Sequence, residues 1–206
     1  MDFVRPIEAL VPGVQGRVLT VLANTETELT MRTVARLAGT SVNRTTTVLN
    51  RLVTLGLVER RDVGTSALVR LARTNQAVHF VVNLAQLRTM VLDSIALEAR
   101  TISPPPSSVI VFGSMARGEA GAESDIDILV VRPHGVGEDN ATWSDMLGHW
   151  SDKIGAIAGN PINLLVIGEF DLADLSRKEN SVWREIAEQG VVLVGHNPFL
   201  TNLANG

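Results

Sequence analysis

The sequence predicts a multidomain α+β protein: a small helical domain closed by a β-hairpin, a long connecting helix, and a second domain in which strands alternate with helices. Three observations predict it. Apolar residues recur at helical spacing up to about residue 55, and short alternating strands follow. Pro104, Pro105 and Pro106 make a stiff break near the middle of the chain. The charge is also divided. Residues 1–75 hold ten arginines and no lysine against six acids, whereas residues 76–206 hold eight basic residues against sixteen acids. The formal net charge of −4 therefore hides a basic first part and an acidic second part. The expected boundaries are 1–74, 75–103 and 104–206.

The first helix is expected at 14–23, with Val18, Leu19, Val21 and Leu22 on its apolar face. Thr30 is placed to cap a second helix at 31–38, which Gly39 ends. Ser41 is placed to cap a third at 42–55. Its buried stripe is read as Val42, Val48, Leu49, Leu52, Val53 and Leu55, with Asn43, Arg44, Thr46, Thr47, Asn50 and Arg51 mostly on the other face. Strands at 57–61 and 67–71 then flank a turn at 62–66 that contains Gly64. Three helices, a three-residue turn between the second and third, and a hairpin make a winged helix-turn-helix. Such a third helix enters the major groove of duplex DNA. The expected contacts are Asn43, Arg44, Thr46, Thr47 and Arg51 from the helix, with Arg60, Arg61 and Arg70 on or beside the wing. The threonine run at 45–47 suits phosphate contacts, and equally a solvated helix surface. Residues 14–73, with the ending LVTLGLVERRDVG, resemble winged-helix transcription regulators of bacteria and archaea. The resemblance implies a DNA-binding module. Winged helices also dock proteins.

Asn75 is placed to cap one long helix at 76–100, apolar on more than one face. Such a helix packs against both domains or against a second copy, so a homodimer is expected. In the second domain, 109–112 reads as a strand running into Gly113 and Ser114, where backbone N–H groups and a side-chain-free residue suit a phosphate. Ser124, Asp125, Ile126 and Asp127 open a strand through 131. Two aspartates two apart on a strand share a face while Ile126 and Ile128 turn inward. A divalent, oxygen-preferring cation, most simply Mg²⁺, relieves their repulsion. Arg117 can add charge for a triphosphate or meet a nearby acid. The set suits phosphoryl transfer.

The block GSMARGEAGAESDIDILV as a whole resembles the nucleotidyltransferase superfamily related to polymerase beta, above all its small stand-alone members, the minimal nucleotidyltransferases. The resemblance spans about residues 107–195 and implies a mixed sheet. It implies a nucleoside triphosphate, ATP among the candidates, held at Gly113 and Ser114; Arg117 and Ser124 are expected as further nucleotide contacts. It implies Mg²⁺ or Mn²⁺ on Asp125 and Asp127, and transfer of a nucleoside monophosphate to a hydroxyl. The family's third carboxylate aligns with Asn163, a departure that puts transfer in doubt, because an amide is neither a base nor a good cation ligand. Glu169 and Asp171 lie just past that strand. The resemblance also implies a small helical toxin as a possible partner. The expected function is thus a DNA-binding regulator with a nucleotide-binding domain. Its alternatives are an active transferase whose winged helix docks a protein or RNA, and a non-catalytic antitoxin-like partner.

The remaining segments read as scaffold: a helix at 142–158 with Trp143 and Trp150 inward, a strand at 161–167, a short helical piece at 172–175, a helix at 180–189 and a strand at 191–194. The chain has no cysteine, which excludes disulfides, thiolate zinc sites and a cysteine nucleophile. No apolar run reaches a membrane span, and residues 1–13 lack the pattern of a signal peptide, so a cytoplasmic protein is expected.

Overall fold

The computed structural model describes residues 1–171 and 181–199. The chain forms two compact units, Arg5–Leu87 and Met1–Val4 with Arg88–Gly206.

The Arg5–Leu87 unit begins with α1 (Pro6–Leu10) and α2 (Val14–Ala23), followed by a two-residue strand, β1 (Leu29–Thr30). Helices α3 (Met31–Leu37) and α4 (Val42–Thr54) come next. The Thr30 hydroxyl accepts from the Thr33 amide and the Ser41 hydroxyl from the Arg44 amide, so both expected caps form. Strands β2 (Val58–Val63) and β3 (Ser66–Leu71) make the wing, in the sheet order β1-β3-β2. Val63 pairs with Ser66, so the turn is only Gly64 and Thr65, tighter than the expected 62–66. Gly64 takes φ 56°, the left-handed region that the first position of a primed hairpin turn requires. The core gathers Val18, Leu22, Val34, Leu49, Leu52, Val69 and Val78.

Two readings of α4 change. Thr45, expected on the polar side, is fully buried, in line with Leu49 and Leu52 at helical spacing. Val42 and Leu55, expected inside, are exposed, because they sit in the first turn and at the C-cap, beyond the core. The single helix expected at 76–100 is two helices, α5 (Gln76–Ala85) and α6 (Leu87–Ala99), interrupted at Gln86. Asn75 caps α5 as expected, its carboxamide oxygen accepting from the Ala77 amide at 2.9 Å. Helix α5 packs on α1 and α2, and α6 opens the other unit.

That second unit is built on a four-stranded mixed sheet in the order β6-β5-β4-β7, from β4 (Ser108–Phe112), β5 (Ile126–Arg132), β6 (Ile162–Gly168) and β7 (Val191–Val194). β4 is antiparallel to β5 and β7, and β5 is parallel to β6. Helices α7 (Gly113–Arg117), α8 (Ala141–Ala158) and α9 (Ser181–Gln189) connect the strands. Leu129 and Val131 of β5 share a core with Ile110, Phe112, Ile167 and, from α9, Ile186. Trp143 and Trp150 are buried, as expected for core residues. The helical piece expected at 172–175 lies outside the described residues. No single helix among the described residues is long and apolar enough to cross a membrane.

Candidate functional site

Strand register assembles the centre of the site. Phe112, Asp127 and Asn163 lie side by side across β4, β5 and β6, at one end of the sheet. Period-2 alternation places Asp127 in the row of Leu129 and Val131, where the apolar face ends. Asp127 is half-buried and Asp125, just ahead of β5, is exposed, whereas Ile126 and Ile128 between and beyond them are fully buried.

Gly113 follows Phe112 directly and therefore arrives beside Asp127. It takes φ 68°, and a Cβ there would stand 2.5 Å from the Asp127 carboxylate oxygen Oδ2. Any other residue would be strained twice, by the left-handed backbone and by the carboxylate. Ser114 is the second residue of α7, and its carbonyl accepts from the Glu119 amide at 2.8 Å. The turn and one aspartate are thus in contact.

Asn163 stands in register beside Asp127. Its amide Nδ2 donates to Asp127 Oδ1 at 2.9 Å. The amide replaces charge repulsion with a hydrogen bond. Glu169 and Asp171 do not reach this end. They follow Gly168, six residues beyond the start of β6, roughly 20 Å along the strand. There the Ser107 hydroxyl donates to Glu169, and Asp171 accepts the Gly168 amide at 3.0 Å.

Two other expected nucleotide contacts are engaged in holding the fold. The Arg117 guanidinium donates to Glu119 at 2.7 Å and to Glu185 on α9. The hydrogen bond to Glu119, foremost, pushes the arginine's pKa further up. The Ser124 hydroxyl accepts the Gly121 amide at 3.0 Å and closes the turn that precedes Asp125. Sequence reasoning missed Asn160. It is buried, and its Nδ2 donates to the Ser124 carbonyl at 2.9 Å and the Gly121 carbonyl at 3.4 Å, fixing the same turn. A lone asparagine in a Gly-Asn-Pro turn gives no periodic signal, so only the fold reveals it.

Two carboxylates are the oxygen donors that suit Mg²⁺ or Mn²⁺. Among the described residues no group of three or more His, Asp or Glu side chains is placed to hold a metal ion.

On the winged-helix unit, Asn43, Arg44, Thr47, Asn50 and Arg51 are exposed along one side of α4. Thr46 and Thr47 turn their hydroxyls back to the Val42 and Asn43 carbonyls, at 2.9 and 3.1 Å. The wing arginines are paired with acids: Arg60 with Asp62 at 3.0 Å, Arg70 with Glu59 at 2.7 Å, and Arg61 with Glu28. Arg60 also donates to Asn50 on α4 at 3.4 Å. Arg44 and Arg51 make no ion pair among the described residues. Arg17 and Arg36 join Arg44 around the turn between α3 and α4, lining one cleft with Gly39, Thr40 and Ser41. The sequence does not single out either arginine, since each falls on a helix read for its apolar face.

Comparison with known proteins follows the same division. Residues 92–188 match the family model described as a nucleotidyltransferase domain, and residues 11–67 match that of the MarR family. No curated protein matches the chain. Among solved structures, a toxin–antitoxin complex with AMP-PNP is 18% identical, covering 55% of this chain and 85% of that one at a TM-score of 0.39. A mutant of the toxin–antitoxin pair MntA–HpeT is 16% identical, covering 55% and 84% at a TM-score of 0.38. TrmBL2, an archaeal chromatin protein, is 17% identical, covering 90% and 78% at a TM-score of 0.31. Likeness at these scores carries no argument about ligands or partners. The family matches show the two domains: this chain joins a MarR-like winged-helix domain to a nucleotidyltransferase-like domain.

Proposed function

We propose that the chain is a DNA-binding regulator whose second domain binds a nucleoside triphosphate together with Mg²⁺. The observation that carries the reading is the meeting of the Gly113 turn with the Asp127 carboxylate at the sheet end. The amides of Gly113 and Ser114 would receive the phosphates, as a glycine turn opening a helix does elsewhere. Asp125 and Asp127 would hold the ion, which when bound neutralises phosphate charge and polarises the α phosphorus. Asn160 holds the turn that delivers Asp125, and Gly113, having no Cβ, lets the Asp127 carboxylate come up against the turn.

Transfer of the nucleoside monophosphate to a hydroxyl would need a group that accepts the acceptor's proton. Asn163 supplies an amide instead, and its NH₂ is directed at Asp127. Binding without efficient transfer is therefore the favoured behaviour, with nucleotide occupancy as a signal. On the DNA side, Arg44 and Arg51, free of acid partners among the described residues, would carry the phosphate contacts. Dimerisation belongs to the same reading, and the Phe80 ring on α5, 75% exposed, offers apolar surface for it.

Calorimetric titration of the full chain with ATP and Mg²⁺ tests the reading. Binding is expected in the parent and is expected to vanish in the D125A/D127A double variant. Equal binding by the double variant would overturn it.

A further inference from the structure

Helix α7 has five residues, too few to be stable on its own hydrogen bonds. It nevertheless carries Gly113 and Ser114, so its placement sets where their amides point. Met115 is fully buried beneath it, which anchors its middle. The C-terminal end is held by a residue from far earlier in the chain. Arg88 Nε donates to the Met115 carbonyl and Nη2 to the Ala116 carbonyl, each at 2.7 Å. These carbonyls belong to the last turn of α7, which carries partial negative charge; the Met115 carbonyl also accepts the Gly118 amide, at 3.3 Å. A planar guanidinium meets two adjacent acceptors with two fixed donors, which an ammonium does not.

Arg88 lies in the first turn of α6, four residues before the stretch that matches the nucleotidyltransferase model. It is also where the chain passes from one compact unit to the other. The connecting segment, and not the matched domain, therefore supplies this clamp.

We propose that Arg88 is a positioning residue of the nucleotide site, holding α7 so that the Gly113–Ser114 turn is set against Asp127 before any ligand arrives. The proposal rests on the nucleotide reading given above. Removing the guanidinium leaves two carbonyls without their charged donors and frees a helix of little intrinsic stability.

The test compares the parent with R88A, R88Q and R88K in the full chain. Hydrogen–deuterium exchange is followed at residues 113–118 without nucleotide, and MgATP affinity is measured by calorimetry. In R88A, exchange over 113–118 is expected to rise about tenfold, with α8 and the winged-helix unit exchanging as in the parent. MgATP affinity is expected to fall about tenfold, and R88K is expected to recover part of both losses. Should R88A fail to fold, R88Q and R88K carry the same comparison. Parent-like exchange at 113–118 in the variants would overturn the proposal. So would faster exchange with unchanged MgATP affinity, which would make Arg88 merely structural. A parent that binds no MgATP overturns the nucleotide reading and this proposal together, whereas a parent that binds it no better than R88A overturns this proposal alone.

Discussion

Asp127 is bounded on one side by a backbone without a Cβ and on the other by an amide that donates to it. Each neighbour gives a prediction. Asn163→Asp replaces the donated hydrogen bond with a second carboxylate in register beside Asp127. In the absence of divalent ions this variant is expected to unfold more readily than the parent, by about 1 kcal/mol, and Mg²⁺ is expected to restore it. Thermal unfolding with and without Mg²⁺ measures both. Gly113→Ala must place its Cβ into the carboxylate at a positive φ. It is expected to lose about 1–2 kcal/mol and its MgATP binding with it, read by urea unfolding and calorimetry. A third residue lies in the other unit. The Thr45 hydroxyl is buried without a hydrogen-bond partner. Thr45→Val keeps the branched shape and removes the unmet hydroxyl, so urea unfolding is expected to show a gain of about 1 kcal/mol.

The wing and α4 differ in how their charges are arranged. Each of Arg60, Arg61 and Arg70 already has an acid partner, so a phosphate contact by any of them first breaks an ion pair. Arg44 and Arg51 carry no such cost. Replacing Arg44 and Arg51 together is expected to flatten the salt dependence of duplex binding, by about 0.9 in the logarithmic slope for each phosphate left without its arginine. Replacing Arg61 and Arg70 is expected to change it less. Gel-shift titrations over a salt series decide between them. A pH dependence follows for the wing. The hydrogen bond from Arg61 pulls the Glu28 carboxyl below its ordinary value. A depressed carboxyl contributes its stability above the unfolded value and loses it as pH falls through the folded one. The pair's contribution is thus present at neutral pH and is lost in acid. Helices α3, α4 and α5 were legible because Thr30, Ser41 and Asn75 announce their caps. Strand β1 was not, since two residues have no periodicity and exist as a strand only by pairing with β3. The break at Gln86 was hidden as well. No glycine or proline marks it, and apolar residues on every face masked the change of partner between α5 and α6.

At the scale of the molecule, a basic winged-helix domain and an acidic nucleotidyltransferase-like domain share one chain. The meeting of the glycine turn with Asp127 and the pairing of Asp127 with Asn163 were readable, because strand spacing and one compact block of sequence fix them. What holds them was not. Arg88 and Asn160 reach the site from α6 and from the turn before β6, through contacts that no local spacing encodes. On the proposed reading a nucleotide and a divalent ion meet at the start of β5. The most direct measurement is a crystal structure of the full chain with a non-hydrolysable ATP analogue and Mn²⁺, with the ion located by anomalous scattering. The predicted result is a manganese peak between the carboxylates of Asp125 and Asp127, with the phosphates on the amides of Gly113 and Ser114. A bound nucleotide lying elsewhere, or no manganese at those carboxylates, would contradict the claim.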